Sequence, residues 1–291
     1  MGVNSEKSVM KHTNREPITK EKRDKSRRWE SIMKKKGLLV VSFGTSHLNT
    51  LEKTIVQIEG KLSETFPEYT LYRAFTSKMI IKILKERDGM EIFTVAKALK
   101  QMVEDGVSEV IVQPTHILHG VENDRMLQDI REMAQEFHAI KVGTPLLSST
   151  EDYRKAVEEV AEEIDTGSSE KALVFMGHGT SHYTNSSYAA LEYVFRDKGY
   201  EHVYVGTVEA YPSLETLLPR LKAKGYKGVC LAPFMVVSGD HAANDMAGDE
   251  DSWKEMLLQE GFEVECILKG LGEYKGIQEI FAEHAREAIS I

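Results

Sequence analysis

Two stretches, "LVVSFGTSH" (39–47) and "VFMGHGTSH" (174–182), lie 135 residues apart and end in the same four letters. Each follows a short apolar run and leads into a segment with apolar residues at helical spacing. A buried strand that turns into a helix opens a βαβ unit, which needs a parallel neighbour to cover it. A chain that opens this way twice is constrained to two copies of one α/β plan. The copies differ at one telling place: His178 stands where the earlier turn has Phe43.

The rest of the chain follows the same alternation. After "GLLVVSF" come a helical segment "LNTLEKTIVQIEGKLSETF" and a second strand "YTLYRAF". The amphipathic "MEIFTVAKALKQMVEDG", the strand "VSEVIVQPT", a helix over 125–138, the strand "HAIKVGTPLL" and a helix over 151–164 complete the first half. A polar break, "DTGSS" (165–169), precedes the restart. The second half reads as strand "KALVFM", helix 185–197, strand "HVYVGTV", helix 212–224, strand "GVCLAPFMVV", helix 250–260, strand "FEVECILKG" and a final helix from 274. Right-handed crossovers make each half a doubly wound, mainly parallel sheet. The expected architecture is therefore two similar lobes, 37–165 and 166–291, facing a central cleft. Further matches support the duplication: "YRAFTS" (72–77) with "YVGTVE" (204–209), and "QPTHILHGVEND" (113–124) with "APFMVVSGDHAAND" (232–245). The first half carries a longer insertion around "KMIIKILKERDG".

Charge separates the start from the body. Of 37 Lys/Arg and 46 Asp/Glu, residues 1–36 take 12 and 5, so this arm is +7 and the body −16. The arm has almost no apolar periodicity and reads as a mobile, solvated leader. A body this acidic is a poor general nucleic-acid binder. No apolar run approaches the roughly 18–20 residues that span a bilayer, and no apolar segment follows the basic start as in a secretory signal. A cytoplasmic protein is expected, with Cys230 and Cys266 as reduced core residues. Homo-oligomerisation stays open.

In an open parallel sheet, ligands bind beyond the carboxyl ends of the strands. In the second half three such ends carry His178, Glu209 and His241; the first half aligns Phe43, Ser77 and, more loosely, Glu122. Two imidazoles and a carboxylate suit a first-row metal such as Co²⁺, Ni²⁺, Fe²⁺ or Zn²⁺. Gly177 and Gly179 beside His178 would let backbone approach a bulky ligand closely. His116 and His119, spaced HxxH at a strand end, do not fall on one face, and His47 and His182 belong to the shared turn frame. The acidic run 238–253 lacks the register of a calcium loop. "GHGTSH" lacks the Lys-Ser/Thr of a phosphate loop, and "KGLGEYKG" spaces its glycines GxGxxxG with too little chain after it, so no nucleotide site is expected.

"VFMGHGTSHYTN", "VGTVEAYPS", "PFMVVSGDHAANDMAG" and "VVSFGTSH" together resemble the anaerobic sirohydrochlorin cobaltochelatase family, class II chelatases that work without ATP. The resemblance covers 37–291 and implies two chelatase-like lobes with the active site in the cleft. It also implies that His178 and His241 are the paired active-site histidines and that Glu209 completes the metal site. Some relatives are periplasmic with a signal peptide; its absence here implies a cytoplasmic enzyme of cobalamin biosynthesis. Sirohydrochlorin and Co²⁺ are the implied partners, with iron or nickel insertion, or a carrier without turnover, as alternatives. A non-haem iron oxygenase uses the same ligand types, but the parallel α/β pattern and the spread of the ligands along the chain count against it. Bare duplication with satisfied loop histidines is the remaining rival. On the chelatase reading His178 is the principal base, while His241 and Glu209 present the metal. The first-half turn Phe43, Gly44, Thr45 and Ser46 then faces the tetrapyrrole, and Arg73, Lys78, Arg87 or Arg125 could meet its carboxylates.

Overall fold

The computed structural model describes residues 35–164 and 169–291. The expected arm lies outside these residues except for Lys35 and Lys36, and the polar break lies outside them except for Ser169. One sheet runs β2-β1-β3-β4, from β1 (Lys35–Ser42), β2 (Thr70–Phe75), β3 (Val107–Pro114) and β4 (Ala139–Val142), all parallel. The other runs β6-β5-β7-β8, from β5 (Lys171–Gly177), β6 (Val203–Thr207), β7 (Gly228–Pro233) and β8 (Glu263–Cys266), also parallel. The two orders are the same once the offset is removed, as duplication requires. Leu38 to Val41 in β1 and Ala172 to Met176 in β5 are buried on both faces, which is why both read as unbroken apolar runs.

The helices bear out the alternation and sharpen its edges. The expected first helix is two, α1 (Leu48–Lys53) and α2 (Ile55–Thr65), broken at Thr54. The buried Thr54 bends its hydroxyl onto the Thr50 carbonyl at 2.6 Å, and Gly270 and Gly272 of the distant 270–272 loop nest against it. The first-half insertion is a complete extra helix, α3 (Lys78–Asp88), closed by Gly89 at φ 65°, ahead of α4 (Val95–Glu104). Then come α5 (Val121–Met133), which starts four residues earlier than expected, and α6 (Thr150–Glu163), opened by a Ser149–Asp152 capping box. The second half holds α7 (Ser187–Asp197), α8 (Leu214–Lys224), α9 (Trp253–Gln259) and α10 (Lys275–Arg286). No helix among the described residues is long and apolar enough to cross a membrane.

The expected boundary at 165/166 does not divide the packing. α10, from the second half, packs on α2 and β3 of the first, while α6, from the first, packs on α7 of the second. The last strand, β9 (Ile289–Ser290), pairs antiparallel with β4 in the first sheet. One core therefore joins Leu38, Ile58 and Ile111 to Ile277, Ile280 and Phe281, and Val157 and Val160 to Phe175, Leu191 and Phe195. Each such buried side chain contributes about 1.5–3 kcal/mol of hydrophobic stabilisation. Each half's final helix thus finds its apolar partners on the opposite half. A buried pair pins the exchange: His284 of α10 faces Asp152 Oδ1 at 3.0 Å with Nε2 and the Thr144 carbonyl at 3.1 Å with Nδ1.

Candidate metal centre

The ladders carry the duplication past the strand ends. Glu209 N–H donates to the His178 carbonyl (2.9 Å) and Val208 N–H to that of Gly177 (3.0 Å). In the first half Ser77 N–H donates to Phe43 (3.2 Å) and Thr76 N–H to Ser42 (2.9 Å), so Phe43 and Ser77 are the counterparts of His178 and Glu209. Both GTSH turns close alike, His47 N–H on Thr45 Oγ1 (3.2 Å) and His182 N–H on Thr180 Oγ1 (3.1 Å).

His178, Glu209 and His241 come together. One ligand atom from each lies within 4.8 Å of the others, and all three side chains are part-exposed. Ligands at about 2.1 Å from a metal stand at most about 4.2 Å apart, so the three need draw in only slightly. The two imidazoles meet edge to face, ring centroids 4.6 Å apart, and Glu209 Oε2 lies 3.7 Å from His178 Nδ1. His241 opens a π-helical turn, His241–Met246, where the sequence suggested only a loop. Hydrogen-bond partners assign the tautomers. His178 Nδ1 faces the Gly179 carbonyl at 2.9 Å and His241 Nδ1 faces Asp245 Oδ2 at 2.7 Å. Both partners accept, so in the neutral rings the hydrogen sits on Nδ1 and Nε2 carries the lone pair.

The glycines flanking His178 are required by the protein's own packing. A Cβ on Gly177 would meet the Tyr188 ring at 2.2 Å; one on Gly179, at φ 86°, would meet Ala210 N and Cβ at 2.9 Å. The first-half turn is packed likewise. Thr45 and Ser46 are buried, and a Cβ on Gly44 would meet the Phe75 ring at 2.5 Å. Of these four, Phe43 is the residue whose side chain is open; it is 45% exposed, with its ring centroid 6.4 Å from that of His178.

The other histidines stay apart from the centre. Burial pushes His116 down to about 4, which keeps it neutral, in the position Met235 holds in the second half. His119 Nε2 meets Ser148 Oγ at 2.8 Å. His47 and His182 have a use that the sequence did not disclose: His47 Nε2 reaches Asp240 at 2.7 Å, and His182 Nε2 reaches Asp124 at 3.4 Å. Each turn histidine thus ties its half to the loop or helix that follows the third strand of the other half. Their signal was the repeated GTSH itself. Of the four cations considered for substrate carboxylates, Arg73 is paired with Glu59, Arg87 with Asp88 and the Ser46 carbonyl, and Arg125 with Glu122. Lys78, exposed in the first turn of α3, has no ion pair among the described residues. The thiol of Cys230 is pushed up to about 11 by burial, and both cysteines are free.

Comparison with known proteins bears on this geometry. Residues 36–290 match the family model described as cobalt chelatase (CbiK). A sirohydrochlorin cobaltochelatase of Salmonella typhimurium is 39% identical over 258 residues, covering 88% of this chain and 97% of that protein. The sirohydrochlorin cobaltochelatase CbiKC of Nitratidesulfovibrio vulgaris is 35% identical over 266 residues, 89% of this chain and 92% of that one. Among solved structures, SirB from Bacillus subtilis with Fe³⁺ shares the fold at TM-score 0.61 and 16% identity, over 87% of this chain and 95% of its own. CbiX, named as the terminal enzyme of sirohaem biosynthesis in denitrifying bacteria, does so at TM-score 0.52 and 14% identity, over 87% and 100%. With its family model matched from first strand to last and both relatives aligned over most of their length, the chain belongs to the cobalt chelatase (CbiK) family.

Proposed function

We propose that this chain inserts Co²⁺ into sirohydrochlorin, with His178, Glu209 and His241 as its metal and proton-handling residues. Family membership and the names of both relatives support the reaction. The observation that carries the site is three ligand atoms from three strand ends of one half, faced by the open Phe43 ring of the other. Insertion exchanges the metal's ligands for ring nitrogens, and two pyrrole N–H bonds lose their protons. His241 and Glu209 hold the metal; Glu209 also offsets its charge at the cleft. His178, adjacent to Phe43, takes a pyrrole proton on Nε2, the nitrogen its Gly179 contact leaves free. Phe43 offers an apolar face to the macrocycle, where a second imidazole would compete for metal. Of Arg73, Lys78, Arg87 and Arg125, Lys78 is the one left without an ion pair among the described residues to meet a substrate carboxylate.

The test is anaerobic absorbance of the protein with sirohydrochlorin and Co²⁺, Fe²⁺, Ni²⁺ or Zn²⁺ in turn, without nucleotide. Spectral conversion above the uncatalysed rate, fastest with Co²⁺, is expected. Binding spectra with no conversion for any metal would make the protein a carrier and remove the proton-accepting role from His178.

A further inference from the structure

We infer that Asp245 is a positioning residue that makes His241 the anchoring ligand of the metal; this rests on the metal-site reading above. The two imidazoles are alike in tautomer but not in what stands behind them. His178 Nδ1 hydrogen-bonds a neutral peptide carbonyl, with Glu209 Oε2 no nearer than 3.7 Å, whereas His241 Nδ1 hydrogen-bonds a carboxylate at 2.7 Å. The π-helical turn sets this pair up, carrying His241 and Asp245 four residues apart on one short element. Among the described residues the Asp245 carboxylate has no other hydrogen bond or ion pair, so no cation competes for its charge. Its acidic neighbours are committed elsewhere: Asp240 faces His47, and Glu209 lies beside His178.

A carboxylate behind a ligating imidazole fixes the ring and strengthens its donation to the metal. Asp245 and Glu209 together also match the 2+ charge of the ion that the centre receives. The asymmetry orders the release. His178, hydrogen-bonded to a peptide carbonyl with the Glu209 carboxylate out of hydrogen-bond reach at 3.7 Å, is free to leave the metal and meet a pyrrole proton, while His241 holds until the ring nitrogens take over. In the sequence Asp245 was one acid among many in the run 238–253.

The experiment is anaerobic Co²⁺ titration of the full chain, followed by visible absorption, for the parent, Asp245→Asn, Asp245→Leu and His241→Ala. Asn keeps a hydrogen-bond acceptor without the charge; Leu removes both. About tenfold weaker binding is expected for Asp245→Asn and up to about 100-fold for Asp245→Leu. The ¹⁵N signals of the His241 ring should show the Nδ1–H tautomer in the parent and in Asp245→Asn, and lose that preference in Asp245→Leu. A merely structural acid would leave the tautomer and the Asn affinity unmoved. Parent-like affinity in both Asp245 variants, with His241→Ala impaired, would overturn the inference and spare the site. Parent-like affinity in His241→Ala as well would overturn the site reading itself.

Discussion

His284 and Asp152 stand 132 positions apart, yet they meet in the interior and tie the last helix to the first half. Burial alone would raise the Asp152 carboxyl, but hydrogen bonds from His284 and Ser149 outweigh it and hold the group below its usual range. The unfolded chain then binds more protons than the native one in acid, so stability rises with pH there. The contribution is complete above the ordinary carboxylate range, from about pH 5, and fades as pH falls through the lowered folded value. His284→Ala is expected to cost about 1–3 kcal/mol in urea unfolding at pH 7, because Asp152 Oδ1 loses its buried partner while Oδ2 keeps the Ser149 N–H. The gap to the parent should narrow as pH falls below the ordinary carboxylate range and the Asp152 carboxyl takes up its proton. A constant gap across this range would assign the loss to packing. At this scale the sequence singled out His178, Glu209 and His241, which the fold brings together, because strand-end loops have no structural need for them. It concealed the Asp152–His284 pair and Asp245, whose meaning lies wholly in partners brought by folding or by a π turn.

The strand–helix alternation was legible because each buried strand is a continuous apolar run and each helix an amphipathic one. The break at Thr54, set by two glycines more than 200 residues away, was not. Nor was the exchange of α6 and α10, since an apolar stripe does not say which sheet it will cover. The turn from β5 shows how tightly elements and site are joined. Gly179 needs its left-handed backbone and the space taken by Ala210, and it adjoins His178 and accepts that ring's hydrogen bond. Gly179→Ala is therefore expected to destabilise the fold by about 1–3 kcal/mol and to weaken Co²⁺ binding. Gly60→Ala, in α2 with nothing within 4 Å of the new methyl, should instead stabilise by about 0.5–1 kcal/mol and leave binding unchanged. Thermal unfolding and Co²⁺ titration of the two variants check both signs; unchanged binding in Gly179→Ala would detach the turn from the site.

Across the whole molecule, two copies of one plan carry different residues at equivalent strand ends. Equivalent ladder positions hold Phe43 and Ser77 in one half, His178 and Glu209 in the other. The halves are bound by exchanged helices, one shared core and two His–Asp ties, His47–Asp240 and His182–Asp124. Asp240 directly precedes His241, so the first half's turn helps to hold the loop that carries His241. An acidic body favours a cation over a polyanion, so a substrate carrying carboxylates would need local cations to meet them. The measurement that bears most directly on the proposed division of labour is the initial rate of Co²⁺ insertion into sirohydrochlorin by a His178→Ala/His241→Ala double variant, compared with the parent under anaerobic conditions. The account predicts a fall to the uncatalysed rate with the fold intact by circular dichroism. Insertion at the parent's rate would contradict it, and would move the chemistry away from these three strand ends.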